Sequence, residues 1–372
     1  MNLSKKSFNP NNLFNTTRKT LAKLIAFCFT CLVFFAFNPD HTFFNHGYAQ
    51  PIGKTRPFTV VILPDTQGYL NRKRPELKRV FLSQIQWVQD HALDKNILMV
   101  IHLGDIVMSN DLREWENAKE IFENLDNWIP YVFAVGNHDA SLNSSCRGTE
   151  LFNHFFPVRH FLDQKYLGGV FEAEKTDNAF YFFKVGSVDY MVITLEFAPR
   201  DEALDWANKV IAAHLDHKVF VITHAYLGAD NERLSAGKMS GNLRYLEKIA
   251  ARPSCTLNDG EEIWQKLGRL HKNIQFIFSG HALAPGASRI VSVGDNGNPV
   301  FQIMSNYQFL EKGGNGYMRI MEFNPNTQKI KVITYSPYLG DYKLDNKNNF
   351  VINLNKGVYE IFNKIISQNQ NN

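Results

Sequence analysis

The sequence predicts an α/β protein in which helices cover a largely parallel sheet and the C-terminal part is rich in β-structure. Three observations carry this. Short apolar runs alternate with longer amphipathic stretches from residue 57 to residue 355, the rhythm of strand–helix–strand units. No internal repeat, heptad run or low-complexity tract interrupts that rhythm. The last hundred residues instead alternate apolar with polar positions around an Asn324-Pro325-Asn326 turn, which reads as hairpin. With 372 residues, 44% of them hydrophobic and 20% charged, the chain is neither collagen-like, disordered nor a many-span membrane protein.

Taken in order, Val60–Leu63 is a buried strand, and Leu77, Val80, Phe81, Ile85 and Val88 set helical spacing over Glu76–Leu93. Ile97–Leu103 is a second strand, Leu112–Leu125 a second helix and Tyr131–Val135 a third strand. Ala179–Val185 and Tyr190–Leu195 form an antiparallel pair around Gly186-Ser187. A helix over Asp201–His214 leads to a strand at Val219–Thr223. Residues 225–257 read as a long functional loop. A helix over Glu261–His271 precedes strands at Gln275–Ser279, Val300–Met304, Tyr317–Phe323 and Ile330–Tyr335.

Charge sets the first 49 residues apart. Lys5, Lys6, Arg18, Lys19 and Lys23 face Asp40 alone there, so the whole net charge of +4 lies in this stretch and the rest holds 35 basic and 35 acidic residues. A neutral body offers no bulk electrostatic case for nucleic acid. Leu24–Phe37 is apolar but shorter than the roughly 20 residues of a bilayer span. With a basic start and a small-residue exit at Gly47-Tyr48-Ala49, residues 1–49 read as a secretory signal, and the long gap after Phe37 leaves an uncleaved anchor open. Either way the main body is exported to the periplasm or another non-cytosolic compartment, and the mature form has no membrane span unless the signal stays attached. Residues 57–355 form the functional domain and 356–372 a tail. Cys146 and Cys255 can pair in an oxidising compartment or remain two thiols.

The strands end on an unusual set of residues. Val60–Leu63 runs into Asp65-Thr66-Gln67, Ile97–Leu103 into Gly104-Asp105, and Tyr131–Val135 into Gly136-Asn137-His138-Asp139. Val219–Thr223 runs into His224, and Gln275–Ser279 into Gly280-His281. One Asp at a strand end is ordinarily a turn or cap residue. Five strands delivering Asp, Asn or His to one sheet edge are a ligand site, and those donors suit a divalent metal. Gly104, Gly136 and Gly280 stand where backbone must pass close to a bound group.

These ordered motifs resemble the calcineurin-like metallophosphoesterases. Leu63-Pro64-Asp65-Thr66-Gln67, Leu195–Arg200, Asn258–Trp264 and Asn306-Tyr307-Gln308 resemble a secreted bacterial subgroup. The resemblance spans residues 57–345 and implies a two-sheet α/β/β/α sandwich. It implies two divalent ions (Mn²⁺, Fe²⁺, Zn²⁺, Mg²⁺ or Ca²⁺), bridged by Asp105, the second also held by Asn137, His224 and His281. It gives Asp65 to the first ion, with the amide oxygen of Gln67 as a further candidate ligand. There the chain departs from the family: Gln67 and Leu283 stand where imidazoles are usual, and Met108 replaces a supporting Asp. Fewer nitrogen donors favour oxygen-seeking ions, with Asn306 and Gln308 as substitute ligands. The resemblance makes His138 the acid that protonates the leaving group and Asp139 the residue orienting it. Arg200 is a candidate phosphate clamp or an ordinary surface arginine, and His102 packs into the sheet.

The expected activity is hydrolysis of a phosphomonoester or phosphodiester through a metal-activated water, with a small phosphorylated substrate as partner. The alternative is a member that binds metal or a phosphorylated ligand without turnover, favoured by Gln67 and Leu283 and opposed by the retained His138. No Gly-rich phosphate loop and no Gly-x-Ser-x-Gly turn occurs, which removes kinase and serine-hydrolase readings.

Overall fold

The computed structural model describes residues 55–141, 148–235, 256–282 and 286–355. The expected signal, Cys146, Cys255, Leu283, the tail and most of the 225–257 loop lie outside the described residues. The parallel strands of the expected central sheet are divided between two mixed sheets, at one end of the first and through the middle of the second. In the first, β1 (Phe58–Leu63), β2 (Ile97–His102) and β3 (Tyr131–Phe133) run parallel. The second contains β4 (Leu167–Val170), β5 (Ala179–Val185), β6 (Val188–Thr194), β7 (Lys218–Ile222), β8 (Ile274–Ser279), β9 (Gly286–Val293) and β10 (Pro299–Asn306), in the order β4-β5-β6-β7-β8-β10-β9. Within it β6, β7, β8 and β10 are parallel. The hairpin β11 (Met318–Asn324) and β12 (Lys329–Ser336) returns to β1 and completes the first sheet with β13 (Asp341–Lys343) and β14 (Phe350–Asn353).

Side-chain alternation explains the stacking. Along β7, Phe220 and Ile222 join the core shared by both sheets, while Val219 and Val221 face a second core under the helix Asp201–Ala213. Phe220 lies over Phe323 of the opposite sheet, ring centroids 5.9 Å apart. The helices Lys78–Asp90 and Leu112–Phe122 cover the first sheet, with Phe81 edge-on to Phe122 and Phe122 edge-on to Phe133. The result is the two-sheet α/β sandwich.

Helix boundaries moved for local reasons. Pro75 opens a 3₁₀ turn, so the first long helix starts at Lys78. The helix expected over Glu261–His271 is four residues, capped reciprocally by Asp259 and Glu262, followed by a π turn over Trp264–Gly268. Two six-residue helices, Glu150–Phe155 and Val158–Asp163, are too short to show a period in the sequence. Among the described residues no helix is long and apolar enough to cross a membrane.

Candidate metal centre

The strand register places the site. Leu63 sits beside His102 and His102 beside Phe133, so Asp65, Asp105 and Asn137 leave the first sheet at one level. Ile222 sits beside Phe278, and Ser279 beside Met304, so His224, His281 and Asn306 leave the second sheet likewise. Side-chain atoms of Asp105, His224 and His281 come within 4.8 Å of one another, all buried. Asp65, Asp105 and His281 have positive φ of 26°, 55° and 63°. Such backbone persists where surrounding structure holds it, and it clusters at functional sites. The glycines before the ligand candidates serve differently from the expectation. A Cβ on Gly136 would strike Asp105, and one on Gly280 would strike Asp65. The bare backbone admits the site's own carboxylates rather than a bound group.

His224 shows what the cluster needs. Its Nδ1 lies 2.8 Å from the Leu103 carbonyl and must donate to it, which leaves Nε2 facing Asp105 Oδ2 at 3.2 Å and His281 Nδ1 at 3.2 Å. A lone pair aimed at a carboxylate repels it unless a proton or a cation stands between. Burial opposes charging His224, but the Asp105 carboxylate, its hydrogen bond and Asp65 outweigh burial and push the imidazole up to about 9. Burial likewise pushes Asp105 upward, yet His224, then His138 and His281, hold it well below the usual carboxylate range. Burial drives Asp65 well above that range against the pull of His224. Asp65 Oδ2, Gln67 Oε1 and Asn137 Oδ1 are buried and accept no hydrogen bond from any described residue. Each such acceptor costs about 1–3 kcal/mol. Unpaired oxygens beside a histidine–carboxylate pair that needs positive charge fit a divalent cation.

Three expected roles change. Asp139 does not orient His138: its carboxylate accepts the Ile106, Val107 and Gly136 amides and so staples the Asp105 loop to the Asn137 loop. Burial, then the Asp105 charge, raise it to about 6. The His138 ring is held by the Met108 carbonyl, 2.7 Å from Nδ1, and the His138 amide donates to Asp105 Oδ1. Arg200 is not a free phosphate clamp; it pairs with Glu172 and Glu196 and lies over Phe171. Asn306 already uses both ends of its amide, accepting from Gln308 N and donating to the Ala282 carbonyl. Gln308 reaches the site through Gln67.

Several contributors escaped the sequence. A backbone carbonyl such as that of Met108 leaves no side-chain signal. Glu114, three residues after the helix cap Asp111, accepts the Met108, Ser109 and Arg72 amides and fixes the loop that carries Met108. Phe197 places its ring 5.9 and 5.6 Å from the rings of His224 and His281. His102 does pack among Phe81, Phe122 and Phe133, as expected. It also accepts from Gly104 N at Nδ1 and donates from Nε2 to Thr66 Oγ1, which donates to the Ile106 carbonyl. This relay joins the Asp65 and Asp105 loops.

Burial, reinforced by His224, holds His102 down to about 3, whereas an unfolded chain protonates it near 6.5. Between those values the unfolded state binds more protons, so stability falls as pH falls, by up to about 1.4 kcal/mol per pH unit. Urea unfolding of His102→Gln should show a flatter loss of stability than wild type between pH 6.5 and 3. Equal slopes would place the acid sensitivity elsewhere.

Facing sheets whose parallel strands end in one Asp, Asn and His cluster define an α/β protein with a candidate metal centre. The family model for calcineurin-like phosphoesterases matches residues 58–285, and the chain belongs to that family. It is 28% identical over 310 residues to the uncharacterised protein YvnB of Bacillus subtilis, covering 80% of this chain and 22% of YvnB. The chain therefore spans about a fifth of that relative's length. Among solved structures, it is similar to GAP50, the anchor in the inner membrane complex of Plasmodium, at 10% identity and TM-score 0.41, over 84% of this chain and 94% of that one. A conserved uncharacterised Streptococcus pneumoniae protein, described as a predicted phosphoesterase, is similar at 12% identity and TM-score 0.29, over 80% and 98%.

Proposed function

We propose that the protein is an exported metal-dependent phosphoesterase acting on a small phosphorylated substrate, with His138 as general acid. Family membership implies metal-dependent phosphoester hydrolysis. The observation that carries the reading here is the Asp105–His224–His281 cluster, whose ligand atoms lie within 4.8 Å of one another beside buried oxygens to which no described residue donates. Asp105, Asn137, His224 and His281 would hold one divalent ion; Asp65, Asp105 and Gln67 would hold the other. When bound, such ions neutralise phosphate oxygens that otherwise repel a nucleophile and lower the pKa of water. The protein's part is to fix these donors on rigid strand ends. His138, with Nδ1 anchored on Met108, offers Nε2 to the departing oxygen. The basic start and apolar run of residues 1–49 support export, and the neutral body supports a small substrate over nucleic acid.

A binding role without turnover is the second reading, favoured by Gln67, an amide where the resembled family usually has an imidazole. The two readings part in one experiment. Metal-stripped protein is reloaded with Mn²⁺, its metal content measured, and hydrolysis of 4-nitrophenyl phosphate and bis(4-nitrophenyl) phosphate followed. About two ions per chain with turnover of either ester is the expected result. Bound metal without turnover of mono- or diester would favour the binder.

A further inference from the structure

We propose that Gln67 and Gln308 act as a carboxamide pair that turns the first metal position into an all-oxygen one, Gln67 Oε1 serving as ligand and Gln308 fixing which way Gln67 faces. This rests on the metal-dependent reading of the same site. Both oxygens of Asp105 are acceptors, so the Gln67 atom 3.0 Å from Asp105 Oδ2 is the amide nitrogen. The second N–H of that nitrogen meets Gln308 Oε1 at 2.5 Å. With Nε2 engaged on both hydrogens, Oε1 is the amide atom left for another partner. It is buried, on a residue 1% exposed, and no described residue donates to it. A carboxamide oxygen can ligate a metal; its nitrogen, a donor only, cannot. Whichever way the amide faces therefore decides whether Gln67 binds a cation or repels one.

The segment bearing Gln308 is held for that task from two sides. Asn306 ties it to Ala282, next to His281, and to the Gln308 amide. Further along, the backbone of Gly313 packs on Gly68, where a Cβ would already be crowded, and Gly316 N donates to the Tyr69 hydroxyl. Five successive residues, Lys312 to Gly316, have φ between 52° and 124°. Left-handed backbone of this kind costs roughly 1–2 kcal/mol at each non-glycine residue. The strained turn thus grips the one-turn helix Gln67–Leu70 from beyond, while Gln308 grips its first residue.

The two metal positions then differ in kind. One combines Asp105 with the imidazoles of His224 and His281. The other would take oxygens alone, from Asp65 Oδ2, Asp105 and Gln67 Oε1. Oxygen donors suit Mn²⁺, Mg²⁺ or Ca²⁺, and imidazole suits Zn²⁺.

Calorimetric titration of metal-stripped protein with Mn²⁺ and, separately, Zn²⁺ tests this, with bound metal counted by elemental analysis. Wild type should take up Mn²⁺ in two steps and hold Zn²⁺ strongly in one. Gln308→Ala should weaken one Mn²⁺ step by about 10- to 100-fold, the range for residues that orient ligands, and leave the other unchanged. Gln308→Glu keeps an acceptor for Gln67 Nε2 and should restore much of that step. Gln67→His should raise Zn²⁺ uptake at the same step. Two Mn²⁺ steps unaltered in Gln308→Ala, or a loss that Gln308→Glu does not recover, would overturn the pairing while leaving the metal-dependent reading in place. Wild type that binds no metal would overturn both.

Discussion

Asp105→Asn is expected to abolish phosphoester hydrolysis and metal retention together. The fall in kcat/KM should reach about three orders of magnitude or more, roughly 4 kcal/mol of transition-state stabilisation. Asp105 stands at the meeting of every motif: Oδ1 takes the His138 amide, and Oδ2 faces both Gln67 Nε2 and His224 Nε2. Asparagine has the same shape but no charge, and one of its two ends becomes a donor. Turned one way, its NH₂ confronts the Gln67 amide nitrogen; turned the other, it confronts the His138 N–H. Either arrangement replaces a hydrogen bond by a donor–donor contact. The positive charge that His224 needs loses its main anchor as well, because Asp105 is the largest favourable influence on that imidazole. Elemental analysis after Mn²⁺ loading, with circular dichroism to verify folding, reads the result. A folded Asp105→Asn protein that keeps its metal would remove Asp105 from the centre of the site.

Much of this arrangement was legible in the sequence because parallel strands buried on both faces are uninterrupted apolar runs, and such runs announce their own ends. Asp65, Asp105, Asn137, His224 and His281 could be placed at one edge without knowing that two sheets share it. What could not be read was how the strand ends hold one another. Gln67 and Gln308 are 241 residues apart in the chain, and nothing local couples them. The family resemblance paired Asp139 with His138; three backbone amides claim its carboxylate instead. Arg200 looked available because its partner Glu172 comes from another segment, and Glu196, four residues before it, gave no sign of folding back onto it. The motif residues Asn258, Asp259 and Glu262 turn out to cap a helix and to bind the Pro199 carbonyl. That segment therefore serves loop architecture.

His138→Ala should separate proton transfer from metal binding. The Met108 carbonyl fixes a proton on Nδ1, so Nε2 is the ring atom that can gain and release one. The ring is only part-buried, unlike the fully buried His224, which suits a group that must meet substrate. The His138 backbone amide, not its ring, contacts Asp105, and alanine keeps that amide. Metal content should therefore be unchanged. General acid catalysis contributes about 10²- to 10⁴-fold where the departing alkoxide is basic. Loss of that size is expected on an alkyl phosphate, and a much smaller one on 4-nitrophenyl phosphate, whose leaving group needs little help. Equal losses on the two esters would mean that His138 acts by some route other than protonating the leaving oxygen. Loss of metal from His138→Ala would make the imidazole a ligand and leave the acid to another group.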